Sequence, residues 1–576
     1  MPVLLHPHLL DVPRHHSSIK SSTIPMNKSS ATRVALYHYD ILVYIFDIFE
    51  SRWRGAGRRT LASCALVCRA WSGPASQVLW RVLDSLHPLW ALLAGLNFPP
   101  SAKGLTEFWE IVDPEEFVKQ IATNESERWQ RFLHRATHVR EIGVASCGEA
   151  ELALIRAILL YNGGKTFLPT LHTLSWRHNF PPDTTLLSFV SPYLKGLELS
   201  TTRSRQFSPF GYASTPAPDN DYTQSEPLFA GLPAASPNLS RLVVSSRHLP
   251  GSVLLPHLPR FLRMRELLLF GSLCSLAPSD VLGILEAMPE LEVLSAPLRD
   301  YDMPEHAAST TSLQDLRVNG AARDLAGFLS RGLHAPSLHT LMITIDGNTY
   351  TASHQHCITA LSNLRFASSL RKLRLITQTY DDETQAQLPI PFYPTVIQPL
   401  SALRHLEALD LRILNTLFRV SEEDLLAVAQ AWPRLRSLAL AYVPVSTVPP
   451  LRALRHFAEH CPDLRELTLT KLDLSEIANL EDHVPTTLAS RPPHPLQQLE
   501  LRVTWGVTPA VDDKAAKDIA RFLDALFPNI ELQDQDKREE PGLGSFMSIK
   551  SFFVSWERIM NEIRALRSER MMRSYG

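Results

Sequence analysis

Hydrophobic residues recur along most of this chain in one short pattern, apolar-x-x-apolar-x-apolar, which begins near residue 137. Thirteen segments carry the pattern, and their first apolar positions lie 22 to 45 residues apart. These first positions are Val139, Leu171, Leu194, Leu239, Met264, Leu291, Leu313, Leu338, Leu370, Leu406, Leu435, Leu464 and Leu496. The last two apolar positions have one residue between them, which is the period of a β-strand. The pattern therefore predicts thirteen short strands.

Several of these strands follow a segment of helical periodicity that ends at a proline. Residues 279–288, 421–432 and 451–461 are each followed directly by proline, which cannot continue a helix. Ser279 and Ser421 stand where helix N-caps are expected. One strand and one helix per segment, stacked side by side, predict an α/β solenoid with a parallel sheet. This pattern resembles an irregular leucine-rich-repeat horseshoe.

Ahead of the repeats, the sequence predicts three short helices that carry more apolar surface than they can bury together. The apolar positions of the first helix are Ile41, Leu42, Ile45, Phe46 and Phe49, and those of the next two include Cys64, Val67, Trp71, Leu79 and Trp80. A unit of about fifty residues has little interior. Some of this surface is therefore expected to contact a partner.

These helices resemble an F-box, the module that docks the adaptor protein of SCF-type cullin-RING ubiquitin ligases. The resemblance rests on Asp40-Ile41-Leu42, Ile45-Phe46, Val67-Cys68-Arg69-x-Trp71 and Leu79-Trp80. Where the family usually opens with Leu-Pro, this sequence has Tyr37 and His38. The resemblance implies that the adaptor is bound, directly or through packing support, by Ile41, Leu42, Ile45, Phe46, Val67, Trp71 and Leu79. With the repeats, the chain is similar to fungal-type F-box proteins with divergent leucine-rich repeats.

The patterns divide the chain into five regions. Residues 1–32 are predicted to be a disordered tail, 33–96 the F-box-like helical domain, and 97–136 a helical linker. Residues 86–96 are expected to extend the last F-box-like helix. The repeats occupy 137–534 and include a mobile loop at 201–227. Residues 535–576 are predicted to be a linker and an amphipathic helix, which either covers the last repeat or binds a membrane surface or partner.

Charge and cysteine usage narrow the functional classes. The chain has 57 basic and 59 acidic residues, a net charge of −2, which argues against nucleic-acid binding through phosphate neutralisation. No apolar run reaches the length of about eighteen residues that a membrane span needs, so no segment is predicted to span a membrane. For the C-terminal helix, covering the last repeat is favoured over binding a membrane surface, and no membrane is among the expected partners. The six cysteines are scattered among apolar positions. This usage suits a reducing compartment, so the predicted location is cytoplasmic or nuclear.

The sequence contains no recognisable catalytic constellation. The run Gly163-Gly164-Lys165-Thr166 imitates the end of a phosphate-binding loop, but Leu159 stands where that motif needs glycine. His354, His356 and Cys357 form the densest group of metal-ligand residue types, with no further ligand nearby in sequence. We therefore expect no enzymatic activity, no cofactor and no metal.

The predicted function is target recognition for an SCF-type ubiquitin ligase, with the adaptor, and through it a cullin, bound by the helices. An unknown protein target would contact outward-facing strand residues, of which Arg317, Arg374, Asp410, Arg412, Glu500 and Arg502 are the candidates. Val243, Leu268 and Ser295 are also predicted to face outward. One alternative is a leucine-rich-repeat scaffold without ligase function. Another is a regulator that supplies an arginine, such as Arg374, to a nucleotide-hydrolysing partner.

Overall fold

The computed structural model describes most of the chain, as two compact units, Met1–Cys274 and Ser275–Gly576. The described residues are 38–52, 56–95, 112–124, 126–145, 149–178, 184–201, 225–245, 249–271, 274–299, 308–346, 352–362, 366–378, 390–445, 448–470, 472–474, 492–501, 512–531 and 549–575. The predicted tail at 1–32, most of the loop at 201–227, the linker that begins at 535 and Arg502 lie outside them.

The first unit begins with three helices, α1 (Tyr39–Arg52), α2 (Ala56–Val67) and α3 (Arg69–Leu79). Its strands are β1 (Val82–Leu83), β2 (Glu141–Ala145), β3 (Thr173–His178), β4 (Gly196–Thr201), β5 (Arg241–Ser245) and β6 (Glu266–Phe270). Its other helices are α4 (His87–Ala94), α5 (Pro114–Asn124), α6 (Ser126–Ala136), α7 (Glu149–Tyr161), α8 (Ser225–Ala235) and α9 (Gly251–Leu254), with 3-10 segments at Thr184–Ser188 and Leu255–Arg260. The strands pair in parallel and in chain order.

The second unit repeats this arrangement. Its strands are β7 (Val293–Leu298), β8 (Ala308–Ser309), β9 (Asp315–Ala321), β10 (Leu333–His334), β11 (Thr340–Asp346), β12 (Lys372–Gln378), β13 (Ile390–Pro391), β14 (Ala408–Arg419), β15 (Ser437–Pro444), β16 (Glu466–Leu469) and β17 (Gln498–Leu501). Its helices are α10 (Pro278–Ala287), α11 (Ala322–Gly327), α12 (Ala352–Ser362), α13 (Gln398–Leu400), α14 (Glu422–Ala431), α15 (Leu454–His460), α16 (Asp513–Leu526) and α17 (Ile549–Tyr575), with π-helical turns at Phe328–Gly332 and Tyr393–Ile397 and a 3-10 turn at Leu451–Ala453. The main sheet has the parallel order β7-β9-β11-β12-β14-β15-β16-β17, while β8 pairs with β10 and β13 pairs with β14.

The sequential parallel order, with helices between strands, confirms the predicted α/β solenoid of the leucine-rich-repeat type. Each of the thirteen predicted segments forms a strand, and all three apolar positions of every segment are buried. In β11, for example, Leu341 and Ile343 are fully buried and Met342 between them is half-buried. Leu341 lies opposite Leu316 and Leu373 on the neighbouring strands. The core is therefore a stack of apolar rows behind each sheet.

A turn with proline at its second position introduces many of the strands. In the turn before β11, the backbone N–H of Leu338 donates to the carbonyl of Ala335 at 3.1 Å, with Pro336 next in the chain. Proline fits there because its fixed φ matches the second residue of a type I turn. The carbonyl of Gln314 then accepts two N–H groups, from His339 and Thr340, both at 3.0 Å. The same double acceptance recurs from segment to segment and fixes the register.

Strand β1 joins the N-terminal helices to the first sheet. Val82 pairs with Glu141, and the carbonyl of Arg81 accepts from Arg140 and Glu141 at 2.8 and 3.0 Å. The expected extension of the last F-box-like helix through 86–96 was therefore wrong. Helix α3 ends at Leu79, and the separate helix α4 ends at the left-handed Gly95. The sheet thus starts inside the region assigned to the helical domain.

The predicted N-caps had different outcomes. Ser421 caps α14, because its hydroxyl accepts from the Asp424 N–H at 3.2 Å and its own N–H donates to the Asp424 carboxylate at 2.7 Å. The assignment of Ser279 was wrong, since α10 begins at Pro278 and Ala277 is its N-cap. Proline is well suited to the first helical position.

The C-terminal helix α17 packs against α16, which is the contact that the covering role requires. Ile559, Met560 and Ile563 of α17 are buried. The Asp524 carboxylate of α16, only 3% exposed, lies 2.9 Å from Arg567 Nε and 2.5 Å from Arg570 Nη2. Within the described residues, no helix is both long and apolar enough to cross a bilayer. The five described cysteines are free thiols.

Candidate functional site

The helices α1–α3 have a small core that divides the predicted adaptor-binding residues into three groups. Leu42 and Phe46 are buried in that core, together with Leu61, Ala65, Ala75 and Val78. Ile45, Trp71 and Leu79 pack against it and stay partly exposed. The Phe46 and Trp71 rings meet edge to face with centroids 5.8 Å apart, a favourable aromatic geometry. Ile41 and Val67 are 40% and 63% exposed.

The same three helices carry an unusually apolar surface. The exposed large hydrophobic residues there are Tyr39, Ile41, Tyr44, Ile48, Phe49, Leu66 and Val67, which is half of all those in the described part of the chain. For the role proposed below, we call these seven residues the docking surface and α1–α3 the docking helices. Five of them lie on α1, where Ile41, Tyr44 and Ile48 share a face by their i, i+3, i+7 spacing. Tyr44, the most exposed at 70%, was missed because the apolar spacing in the sequence picked out a stripe that runs through the core residues Leu42 and Phe46 and includes Ile41 but not Tyr44.

Two arginines connect the docking helices to the residues at and around strand β1. Arg58 Nη2 of α2 donates to the Val82 carbonyl at 3.1 Å, and its Nη1 lies 2.5 Å from the Asp84 carboxylate. Arg81, just before β1, forms an ion pair with Asp47 of α1. Exposed ion pairs contribute little stability individually, about 0–1 kcal/mol. These two pairs orient the docking helices, since each connects a docking helix to the beginning of the sheet.

In the second unit, the outward residues at the middle of successive strands form one continuous row. We call it the central row, and its members are Ser295, Arg317, Met342, Arg374, Asp410, Ala439, Thr468 and Glu500. The structure thus brings four of the predicted target-binding residues into register. Arg412 lies two residues beyond Asp410 on the same strand.

The central row is basic at one end and acidic at the other. The Asp410 carboxylate lies 3.0 Å from Arg374 Nε and 3.0 Å from Arg412 Nε, so one anion is shared between two guanidinium groups. Arg317 pairs with Asp315 of its own strand at 2.8 Å. At the far end, Glu500 accepts a hydrogen bond from Thr468 at 3.4 Å. Side chains of mixed charge that stay partly exposed suit a protein partner.

Three residues that were predicted to face outward are buried. Val243 and Leu268 of the first unit are 7% and 9% exposed, and Ser295 of the second unit is 5% exposed. The period-2 rule gives the side of the sheet on which a residue lies, but it does not tell whether that side is covered. The accessible part of the central row therefore begins after Ser295.

The residues suggested as metal-ligand types do not converge. His354 and Cys357 of α12 are buried, whereas His356 between them is exposed. Burial raises the pKa of the Cys357 thiol to about 12, so the thiol stays protonated and packs as a small hydrophobic group. Within the described residues, no three His, Cys, Asp or Glu side chains are placed to hold a metal ion.

No protein-family model matches this sequence, and neither does any curated protein. Among solved structures, the chain is similar to one entitled "Structure of the Toll - Spatzle complex, a molecular hub in Drosophila development and innate immunity (glycosylated form)", with 13% sequence identity and a TM-score of 0.28. The match covers 67% of this chain and 48% of the other. The chain thus spans about half the length of the structure it matches. At this distance the likeness carries no argument about function, and the fold assignment rests on strand order, register and burial.

Proposed function

We propose that this protein is the target-recognition subunit of an SCF-type ubiquitin ligase. The observation that carries the proposal is the docking surface, because seven exposed large hydrophobic residues on the two short helices α1 and α2 form an apolar surface that favours a protein partner. These helices are also the segment whose sequence resembles an F-box. The adaptor, and through it a cullin, would cover the docking surface.

The repeats would supply the target-binding surface. The central row offers arginine donors around Asp410 and a carboxylate acceptor at Glu500. A target with acidic groups toward the first end and basic groups toward the other would complement it. The chain needs no chemistry or cofactor of its own in this role, since ubiquitin transfer would be performed by other subunits.

Binding to a purified SCF adaptor tests the proposal. The full-length chain should bind it, and the double variant Ile41→Asp with Tyr44→Asp should weaken binding more than about tenfold, because two carboxylates enter an apolar contact. Leu160→Asp is the matched control, since Leu160 is 62% exposed and belongs to α7, which is not one of the three helices α1–α3. That variant should bind as the wild type does.

The opposite result distinguishes the rival function. If the wild-type chain binds no adaptor while an authentic F-box protein does in the same assay, the ligase proposal fails. Equal binding by the wild type and the α1 double variant would place the adaptor elsewhere and also refute it. A leucine-rich-repeat scaffold that binds proteins without ligase function is what would remain.

A further inference from the structure

A row of basic residues lies along the end of the first unit's sheet at which strands β1 to β4 begin, at the residue that precedes each of these four strands. Backbone hydrogen bonds connect its members: Arg140 N–H donates to the Arg81 carbonyl at 2.8 Å, and His172 N–H donates to the Arg140 carbonyl at 2.7 Å. Lys195 N–H donates to the His172 carbonyl at 2.8 Å. We call Arg81, Arg140, His172 and Lys195 the edge row. Successive members are separated by one strand spacing, about 4.8 Å.

The positive charges of this row converge on His172. The pKa of His172 is lowered from its ordinary value by burial first, and then by Arg140, Lys195 and Arg81, while Glu141 acts in the opposite direction. A bond from Arg140 Nη1 to the Thr170 carbonyl, 2.9 Å long, holds the Arg140 guanidinium in place. Arg81 is paired with Asp47. Arg140 and Lys195 form no ion pair with a carboxylate in the described part of the chain.

The second unit contains the same arrangement with its counter-charge built in. Arg371, Glu407 and Arg436 precede three successive strands, and Glu407 and Arg436 each donate a backbone N–H to the preceding member's carbonyl at 2.7 Å. The Glu407 carboxylate lies 3.8 Å from Arg371 Nε and 3.4 Å from Arg436 Nη1. A carboxylate therefore neutralises the two cations on either side of it. In the first unit, His172 stands in the position of Glu407.

We propose that the edge row binds an acidic segment of a partner protein, whose carboxylates lie beside His172 and neutralise Arg140 and Lys195 as Glu407 neutralises Arg371 and Arg436 in the second unit. The partner's carboxylates would supply the negative charge between two cations that Glu407 supplies within the chain in the second unit. The row has only three fixed cations, with Asp47 and Glu141 beside them. That arrangement fits a short acidic peptide better than a nucleic-acid backbone, which requires a longer cationic track. This binding does not depend on the ligase function.

The test measures binding of fluorescein-labelled octaglutamate to the full-length protein by fluorescence anisotropy. His172→Glu supplies an internal carboxylate and should weaken binding about tenfold or more, which is 1.4 kcal/mol or more. Lys195→Gln, at an exposed side chain, should weaken it severalfold. Arg465→Gln is the matched control, because Arg465 precedes a strand of the second unit. It should leave binding unchanged.

The reverse substitution gives a second arm. Glu407→Gln removes the internal counter-charge between Arg371 and Arg436, and it should add a second octaglutamate site. Unaltered affinity in both His172→Glu and Lys195→Gln, with melting curves like the wild type's, would overturn the proposal. Tighter binding of a single-stranded oligonucleotide of equal charge would overturn it too, and would assign the row to nucleic acid.

Discussion

The guanidinium of Arg58 donates a hydrogen bond to the backbone carbonyl of Val82, 3.1 Å away. Arg58 belongs to a docking helix and Val82 to the first strand of the sheet, so a single side chain connects the two. A backbone carbonyl inside a paired strand is a fixed acceptor. The docking helices are therefore expected to keep one orientation relative to the beginning of the repeats.

Replacing Arg58 should loosen this connection without unfolding either part. We expect Arg58→Ala to destabilise the docking helices by about 1–2 kcal/mol, because a charge-assisted hydrogen bond is lost. Hydrogen exchange of the α2 and β1 amides should become faster, while β3 and β4 keep their protection. Arg59→Ala, at the exposed neighbouring position, is the control and should change neither. Equal protection in both variants would mean that Arg58 does not couple the helices to the sheet.

Phe46 and Tyr44 should separate folding from docking. Phe46 is 2% exposed in the helical core, whereas Tyr44 is 70% exposed. Phe46→Ala should cost about 3–5 kcal/mol of stability through the cavity that it leaves. Tyr44→Ala should change stability by less than about 0.5 kcal/mol and still weaken adaptor binding. Chemical denaturation and an adaptor titration measure the two effects, and a large stability loss in Tyr44→Ala would contradict the burial pattern.

Leu409 tests the register of the repeats. It is 1% exposed and lies opposite Leu373 and Leu438 on the adjacent strands. Leu409→Asp places an unpaired carboxylate in this core and should destabilise the second unit by at least about 3 kcal/mol. Leu262→Asp, at a position that is 75% exposed, should leave the melting curve nearly unaltered. A normal melting curve for Leu409→Asp would refute the register.

Asp524 should control the attachment of the C-terminal helix. Its carboxylate is almost fully buried between Arg567 and Arg570, and removing one partner of a buried pair typically costs about 3–5 kcal/mol. Because Arg570 is largely exposed, we expect the lower end of that range for Asp524→Asn. Limited proteolysis should then cleave α17 first. Asp518→Asn, which removes only a surface contact with Arg521, is the control and should leave α17 resistant.

The repeats were predictable because their signal is redundant. Three apolar positions mark the strand in each segment. Residues such as Leu341 and Ile343 are buried regardless of where the neighbouring helix begins or ends. The alternation of side chains along each strand was enough to predict which residues lie on the outward side of the sheet. It could not predict whether those residues are accessible, since the burial of Val243 and Leu268 depends on what lies over the sheet.

The docking helices were less predictable. Apolar spacing identified Leu42 and Phe46, which form the core, more readily than Tyr44 and Ile48, which are exposed. Strand β1 has only two residues, too short for any period to be visible in Val82 and Leu83. The edge row had no sequence signal either, because its members become neighbours only through backbone pairing. The adaptor-binding and target-binding residues assigned from the sequence stay predictions.

The acceptance of two N–H groups by a single carbonyl, as at Gln314, affects how the sequence of such a chain can evolve. It confines the shared geometry of each segment to a turn and a few strand residues. Everything between one strand and the next is free in length, which is why segments of 22 and 45 residues coexist. Insertions between strands can thus accumulate while the strands keep a constant spacing of about 4.8 Å. Each residue of the central row can therefore be substituted individually while the backbone of the sheet stays the same. Such substitutions can select a new binding partner without a change of fold.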